Sequence, residues 1–585
     1  MNLFHTFLNY IIDCLISWDS ITDLRLPNRW KEKITLEPSR DSKHGDLATN
    51  AAMILAKPLQ KSPKAIAEQL IPKLLKNSAI ANAEVAGPGF INLTLKPEVW
   101  YEHLQYILDK GTDYGSSTLG SGQKVNIEFV SANPTGPMHT GHGRNAILGD
   151  TIASLLSKVG YSVCREYYVN DAGGQVDILA RSVYLRYLQA CGEHITDNDF
   201  TQGMYPGDYL IPIAEKILNK DGKIWIDQSE NMWIEHFRNI TISEMLDLIR
   251  QDLDLLGVKM DVFTSEKSLV DTNQIVKALK TLEDKNDVYQ GTLEPPKGHV
   301  IEDWEPRPQT LFCATKYGDD IDRPLKKSDN TWTYFAGDIA YHSYKYQRGF
   351  THLINIFGAD HSGYVKRIKA AVQAITNNKA NFEIKVCQMV NFLDKGMPVK
   401  MSKRAGTFIT IKNVIDRVGK DATRYMMVSR HQDMPIDFDF SKVIEQTRDN
   451  PMFYIQYAHA RIHSVLRHAQ EIFPILNTTN YTDINFHLLN DENELNMIKQ
   501  LVNWPQQVET AAQVREPHRI ATFIYDVSSI FHALWNKGKD HTYLRFINAQ
   551  DYEGTKARLG LLIATANVIA SGLQILGITP IKEMR

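Results

Sequence analysis

His139 and His142 stand three residues apart in the loop "NPTGPMHTGHGR", ringed by glycines, where an apolar run gives way to a helical pattern. Such a loop is a poor place for core histidines. Gly136, Gly141 and Gly143 lack the Cβ that would hold a ligand away from the backbone. A helix starting near His142 offers free N–H groups and positive dipole character, which suit phosphate. The two imidazoles can then donate hydrogen bonds while charge develops on phosphate oxygens. A turn with two solvated histidines is the bland alternative. A zinc pair fits less well, because no third ligand lies at the usual spacing.

A second stretch, "DKGMPVKMSKRAGTF" at 394–408, sets Lys400, Lys403 and Arg404 between Gly396 and Gly406. A glycine-hinged loop of cations can close on a triphosphate and stabilise its departing part. A solvated basic loop is the alternative. Two acids complete the set. Glu128 lies inside "NIEFV" and Asp338 inside "TYFAGDIAYH", where a lone buried charge is costly. Each could be an internal ion pair with a nearby arginine. Converging on one pocket, they would instead read a guanidinium by bidentate hydrogen bonds.

These residues need elements to hold them. "QKVNIEFV" reads as a short strand, "NAILGDTIASLLSKVG" as a helix closed by Gly160, and "YSVCREYYV" as the next strand. That strand–loop–helix–strand unit is the local signature of a parallel α/β sheet. Strand signals return at "TWTYFAGDIAYH", "THLINIFGADHSG" and "FEIKVCQMVNFL". Residues from about 175 to 295 read as a mostly helical insertion. Residues 1–118 mix helical and strand patterns and end at "YGSSTLGSG", which reads as a linker. From 446 to 585 the pattern is helical throughout, with aromatic and basic residues interleaved.

The bulk properties agree. A chain of 585 residues exceeds one ordinary core. The predicted architecture is multidomain α/β: a small N-terminal α/β domain (1–118), a Rossmann-type parallel-sheet domain (119–445) and a C-terminal α-helical bundle (446–585). No run of about 18 uncharged apolar residues suggests a membrane span. The start, "MNLFHTFLNYIIDCLISW", is expected to be an amphipathic helix and not a signal peptide. Five scattered cysteines favour neither disulfides nor a zinc cluster, which points to a reducing compartment. A net charge of −3 argues against blanket electrostatic binding of nucleic acid but leaves room for local basic surfaces.

The early HxGH and the late KMSK together resemble the HIGH and KMSKS loops of class I aminoacyl-tRNA synthetases. His139, Gly141 and His142 match the first; Lys400, Met401, Ser402 and Lys403 match the second. Thr140 replaces the usual Ile, and Arg404 the final Ser. Longer stretches are similar to the arginyl-tRNA synthetases: "EFVSANPTGPMHTGHGR", "YYVNDAGGQ", "DDIDRPLKKSDNTWTYFAGDIAYH", "GADHSGYVKRIKAA" and "KMSKRAGTFITIKNVIDRVGKDATRYMM". The resemblance implies a ligase that activates L-arginine with ATP and passes it to the 3′-terminal adenosine of tRNA(Arg). It assigns His139, His142, Lys400 and Lys403 to catalysis, and His139, Gly141, His142, Asp360, Met401, Ser402 and Lys403 to ATP. It assigns Glu128, Ser131, Asn133, Tyr334, Asp338 and His361 to arginine. Ser131 and Asn133 could merely shape a turn, and Tyr334 could be core.

In that family the N-terminal domain touches the tRNA elbow and the helical bundle binds the anticodon. Tyr454, Tyr457, His459 and Arg461 are candidate tRNA contacts, although aromatics at helical spacing are more often core. Mg²⁺ is expected to accompany ATP without a dedicated protein site. A cytoplasmic monomer with no membrane or DNA partner is the expected setting. The alternatives are a class I synthetase for another amino acid, a non-catalytic RNA-binding paralogue and a small-molecule nucleotidylyltransferase.

Overall fold

The computed structural model describes residues 2–18, 28–39, 44–293, 307–399, 409–474 and 483–584. Lys400, Met401, Ser402, Lys403 and Arg404 lie outside the described residues.

The N-terminal region opens with the helix Leu3–Ile16, capped by Asn2, whose Oδ1 accepts from the Phe4 N–H. Leu3, Phe7, Ile11 and Leu15 recur at helical spacing and are buried. An antiparallel sheet of Leu36–Pro38, Leu47–Thr49, Phe90–Leu95 and Ile80–Ala86, in that spatial order, joins the helices Ala51–Leu59 and Pro63–Leu74. The glycine- and serine-rich stretch that follows is not a loose linker. Tyr114 is buried, and its hydroxyl donates to the carbonyl of Val502 at 3.2 Å. The indole N–H of fully buried Trp504 donates to the Tyr114 carbonyl at 3.1 Å. Gly115 has φ +90°, and a Cβ there would sit 2.5 Å from Trp504 Nε1. Gly115→Ala is therefore expected to destabilise the protein by about 2–4 kcal/mol, through a forbidden backbone angle and a clash with a rigid ring. Thermal unfolding measures it; an unchanged Tm refutes the packing argument.

Five parallel strands form the central sheet: β1 (Lys124–Glu128), β2 (Ser162–Val169), β3 (Val262–Ser265), β4 (His352–Gly358) and β5 (Asn381–Cys387). Their spatial order is β5-β4-β1-β2-β3, so the winding reverses between β1 and β4. Val125, Asn126, Ile127 and Glu128 are all buried, as expected of a strand covered on both faces. Helix α1 (Thr140–Lys158) returns from β1 to β2 and is buried along most of its length.

The stretch from 175 to 295 needs a correction. Helices α2 (Gly174–Cys191) and α3 (Glu230–Leu255), with Ile211–Asp221 between them, build a small core around Val183, Tyr187, Trp233 and Phe237. The chain then re-enters the sheet as β3, so this is not a pure insertion. At four residues on a sheet edge, "VFTS" carries too little pattern to be read as a strand. "TYFAGDIAYH" also differs: it opens the helix α4 (Tyr334–Gln347). Its aromatic content suggests a strand, but Phe335, Ala336, Ile339, Ala340 and Ser343 repeat with helical period and are buried. Thr333 caps this helix by accepting from the Ala336 N–H.

The C-terminal region is helical: α5 (Pro451–Ile472), α6 (His518–Asp540) and α7 (Tyr552–Ile575), with Glu492–Val502 and Trp504–Val514 between the first two. α7 is long and apolar enough to cross a membrane by length and composition, but it is mostly buried inside this bundle. Arg424 ties the bundle to the sheet domain. Its buried guanidinium donates to Asp150 of α1 at 2.6 Å, to the Leu256 carbonyl at 2.9 Å and to the Leu576 carbonyl at 2.7 Å.

Candidate active site at the carboxyl edge of the sheet

In open α/β sheets, ligands sit beyond the carboxyl ends of the strands where the winding reverses. Here a cavity of about 930 Å³ opens there, between the loops that follow β1 and β4 and the start of α1. Every described residue that the sequence assigns to catalysis, ATP or arginine lines it.

The loop after β1 supplies one wall. Val130 and Ser131 both take left-handed backbone angles, φ 68° and 40°. This is costly for a β-branched residue and persists only where neighbours enforce it. Asn145 of α1 does so: its Oδ1 accepts from the Val130 N–H at 2.7 Å while its Nδ2 donates to the Ile356 carbonyl at 3.0 Å. One amide thus spans the ends of β1 and β4. Ser131 Oγ donates to Glu128 Oε1 at 3.2 Å and accepts from the Tyr168 N–H at 3.0 Å. Asn133 donates to Gln175 Oε1 at 2.8 Å. Ser131 and Asn133 shape the turn and line the cavity at once.

His139 caps α1. Its Nδ1 accepts from the Gly141 N–H at 3.1 Å, which leaves Nε2 to carry the ring proton. Its ring stacks on that of His142, with centroids 3.7 Å apart. The chain that follows the cationic stretch, from Ile409 on, runs beside them. Thr410 pairs with His139 as an antiparallel bridge, the Ile411 N–H donates to the Met138 carbonyl at 3.2 Å, and Ile409 lines the cavity. Two of the loop's glycines serve the protein and not a ligand, contrary to expectation. A Cβ on Gly143 would meet Ile411 Cδ1 at 2.2 Å, and one on Gly136 would meet the Tyr209 hydroxyl at 3.2 Å. Arg144 is buried and donates to the carbonyls of Gln388 at 2.7 Å, His431 at 3.3 Å and Met427 at 3.4 Å. It seats α1 against the segment that lines the cavity after β5.

The acids differ from one another. Asp338, in the second turn of α4, accepts from the Tyr364 hydroxyl and has no cationic hydrogen-bond partner among the described residues. Burial pushes its carboxyl up to about 7, against the Tyr364 hydrogen bond, and the negative charges of Glu128 and Glu266 push the same way. Glu128 is held in an internal ion pair: its Oε2 accepts from the buried Lys345 ammonium at 2.5 Å. The partner is a lysine one helix away, not an arginine. Tyr334 is exposed at the rim and not in the core, under the Lys327 ammonium at 5.5 Å. Asp360 and His361, 3.7 Å apart on the turn after β4, are largely exposed at the cavity mouth.

Sequence reasoning missed several groups. Glu266, just after β3, lines the cavity with Oε2 buried and without a hydrogen-bond partner, and burial raises its carboxyl. Lys345 and Asn145 were missed as well. No local motif marks them; only the fold brings them in. Among the described residues, no three His, Cys, Asp or Glu side chains group as metal ligands.

A second cavity, of about 1000 Å³, lies in the helical bundle. Tyr457 and Arg461 line it, with the Arg461 guanidinium 4.2 Å from the Tyr457 ring and 4.8 Å from that of Trp535. Tyr454 packs instead on His532, at 4.3 Å. His459 is a correction: it is buried, its Nδ1–H donates to the Ile581 carbonyl at 2.7 Å, and burial lowers its pKa. It holds the chain's last segment and offers no face to a base.

Comparison with known proteins bears on the same three regions. Family models match an arginyl tRNA synthetase N-terminal domain at 15–95, a class I (R) tRNA synthetase catalytic domain at 103–463 and a DALR anticodon binding domain at 455–584. Arginine–tRNA ligases of Roseobacter denitrificans and Rhodospirillum rubrum are each 51% identical over 100% of both chains. The Thermus thermophilus arginyl-tRNA synthetase structure superposes with a TM-score of 0.71 at 21% identity, covering 100% of each chain, which speaks to the fold. The chain belongs to the arginyl-tRNA synthetase family.

Proposed function

We propose that this chain joins L-arginine to tRNA(Arg) at the cost of ATP, through an arginyl-adenylate, and that the cavity at the sheet's winding reversal is where both substrates meet. The observation that carries this reading is Asp338: a carboxyl in the cavity wall with no cationic hydrogen-bond partner among the described residues, beside residues suited to phosphate. A guanidinium supplies the missing charge by bidentate hydrogen bonds. Tyr334 covers it from the rim. Ser131 and Asn133, with His361 opposite, hold the amino-acid end. His139 and His142 at the start of α1, the Gly141 backbone and Asp360 hold ATP, and Lys400, Met401, Ser402 and Lys403 take part in binding it and in stabilising the departing pyrophosphate. Glu128 acts from behind, through Ser131 and Lys345.

The carboxylate of arginine attacks the α-phosphorus of ATP and the bond to pyrophosphate breaks; a ribose hydroxyl of the terminal adenosine then attacks the mixed anhydride, forming the ester while the acyl–phosphate bond breaks and AMP leaves with release of the hydroxyl proton. Positioning and charge stabilisation suffice for phosphoryl chemistry of this kind. Mg²⁺ enters with ATP, as is usual for a cation that keeps most of its waters. Tyr457 and Arg461 form a stacking and cationic surface for unstacked tRNA bases, while Tyr454 supports it through His532. The domains divide the work at about 118 and 446. A cytoplasmic monomer is the working state.

The decisive experiment is exchange of labelled pyrophosphate into ATP, run for each amino acid with and without tRNA. Arginine alone should drive it. Exchange driven by another amino acid and not by arginine overturns the substrate; no exchange with any, alongside intact tRNA binding, points to a binding paralogue.

A further inference from the structure

Beneath the arginine side of the cavity lies a chain of buried polar contacts. His342 Nδ1 donates to the Asp338 carbonyl at 2.8 Å, within α4. Burial, with Lys345 nearby, drives His342 down to about 3, so the ring is neutral and Nε2 accepts from Asn355 Nδ2 at 3.0 Å. That fixes the Asn355 amide with its Oδ1 toward Lys345, at 3.4 Å. The Lys345 ammonium has no exposed surface; it lies 4.1 Å from the Tyr341 ring and 2.5 Å from Glu128 Oε2. The other oxygen of Glu128 is held by Ser131. Nothing in the chemistry of adenylate formation requires a lysine there, and burying an ammonium is expensive.

We propose that Lys345 is a positioning residue for arginine recognition: by pairing with Glu128 it removes that acid's charge from the cavity and leaves Asp338 to read the guanidinium. This rests on the reading that the cavity takes arginine. Besides Asp360 at the mouth, three carboxyls line the cavity among the described residues: Glu128 from β1, Glu266 after β3 and Asp338 from α4. Left alone, three acids would repel one another, and one would hold a proton where a cationic substrate needs a carboxylate. Asp338 is faced by Tyr364 from the turn after β4, Tyr168 from β2, Glu128, Glu266, and Lys345 on its own helix. Lys345 is the cation in that set. It opposes the raising effect of Glu128 and Glu266 on Asp338.

The test is a double-mutant cycle on the full chain. Arginine-dependent pyrophosphate exchange, with tRNA present, is followed against pH for the wild type, Lys345→Met, Glu128→Gln and the double variant. Each single change should raise the arginine KM at pH 7 by at least about tenfold and leave the ATP KM in place. Lys345→Met frees the Glu128 charge and should move the acid limb of the arginine profile upward by about one pH unit or more, which is the same tenfold factor. Glu128→Gln strands an ammonium beside the guanidinium site. The double variant, with neither charge, should show an arginine KM below that of both single variants and a limb near that of the wild type. A purely structural lysine would leave the profile where it is. A double variant no better than the worse single, or a Lys345→Met enzyme with the wild-type KM and profile, overturns the proposal. If Lys345→Met does not fold, the comparison of Glu128→Gln with the double variant decides on the same criterion. A wild type that ignores arginine would sink the functional reading itself, and the two failures are thereby distinct.

Discussion

Asp338→Asn is expected to raise the arginine KM by at least about thirtyfold, while ATP binding is unaffected. Removing one partner of a desolvated charged pair costs about 2 kcal/mol or more, which sets that factor. The pH dependence gives the assignment a second handle. Burial holds the Asp338 carboxyl at about 7, so below that pH it carries a proton and cannot pair with a guanidinium. The wild-type arginine KM should therefore rise as pH falls through about 7, and the Asn variant should lack that limb. Stability moves the opposite way. With its folded pKa raised above the ordinary aspartate value, the side chain holds a proton in the folded protein that the unfolded chain has already lost. Its contribution to stability is then full below pH 4 and declines as pH rises toward about 7. Asp338→Asn removes that penalty, so the ligand-free variant should melt higher than the wild type at pH 8. Impaired arginine use joined to a raised Tm is the signature of a group kept for function at a cost to the fold. Normal arginine kinetics in the variant would dismiss Asp338 from the site.

Lys403→Ala should lower the rate of adenylate formation by roughly a hundredfold to a thousandfold and change the arginine KM only a few-fold. A cation aimed at charge that develops on departing pyrophosphate acts in the transition state and not in the ground state. The segment just beyond it, Thr410 and Ile411, is bonded to the histidine loop at His139 and Met138. Pre-steady-state adenylate formation separates the two effects. An unaltered rate would place Lys403 outside the chemistry.

Much of this was legible in the sequence where chemistry and local pattern coincide. The histidine loop, the strand before it and the helix after it are contiguous, and glycine spacing and apolar periodicity report them directly. Glu128 and Asp338 stood out because acids among apolar residues are rare. What the sequence could not show is what each acid meets. Lys345 is 217 positions from Glu128 and reads as an ordinary helix lysine. Glu266 reaches the cavity only because β3 joins the sheet edge, and four residues announce no strand. Asp338 looked like a strand-end residue because tyrosines and phenylalanine favour strands, yet burial of one helical face prevailed. His459 looked available for stacking because nothing in its helix reveals that the chain's end returns to cover it.

The Arg424 guanidinium bears on how far the parts can be separated. It stands where α1, the end of α3 and the last turn of the bundle converge, and satisfies a carboxylate and two carbonyls at once. Cutting the bundle away would leave that cation short of an acceptor and bare the surface around Tyr114. The sheet domain and the helices are thus one mechanical body, and a grafted bundle from a foreign enzyme would have to reproduce that junction before it could hand over any tRNA.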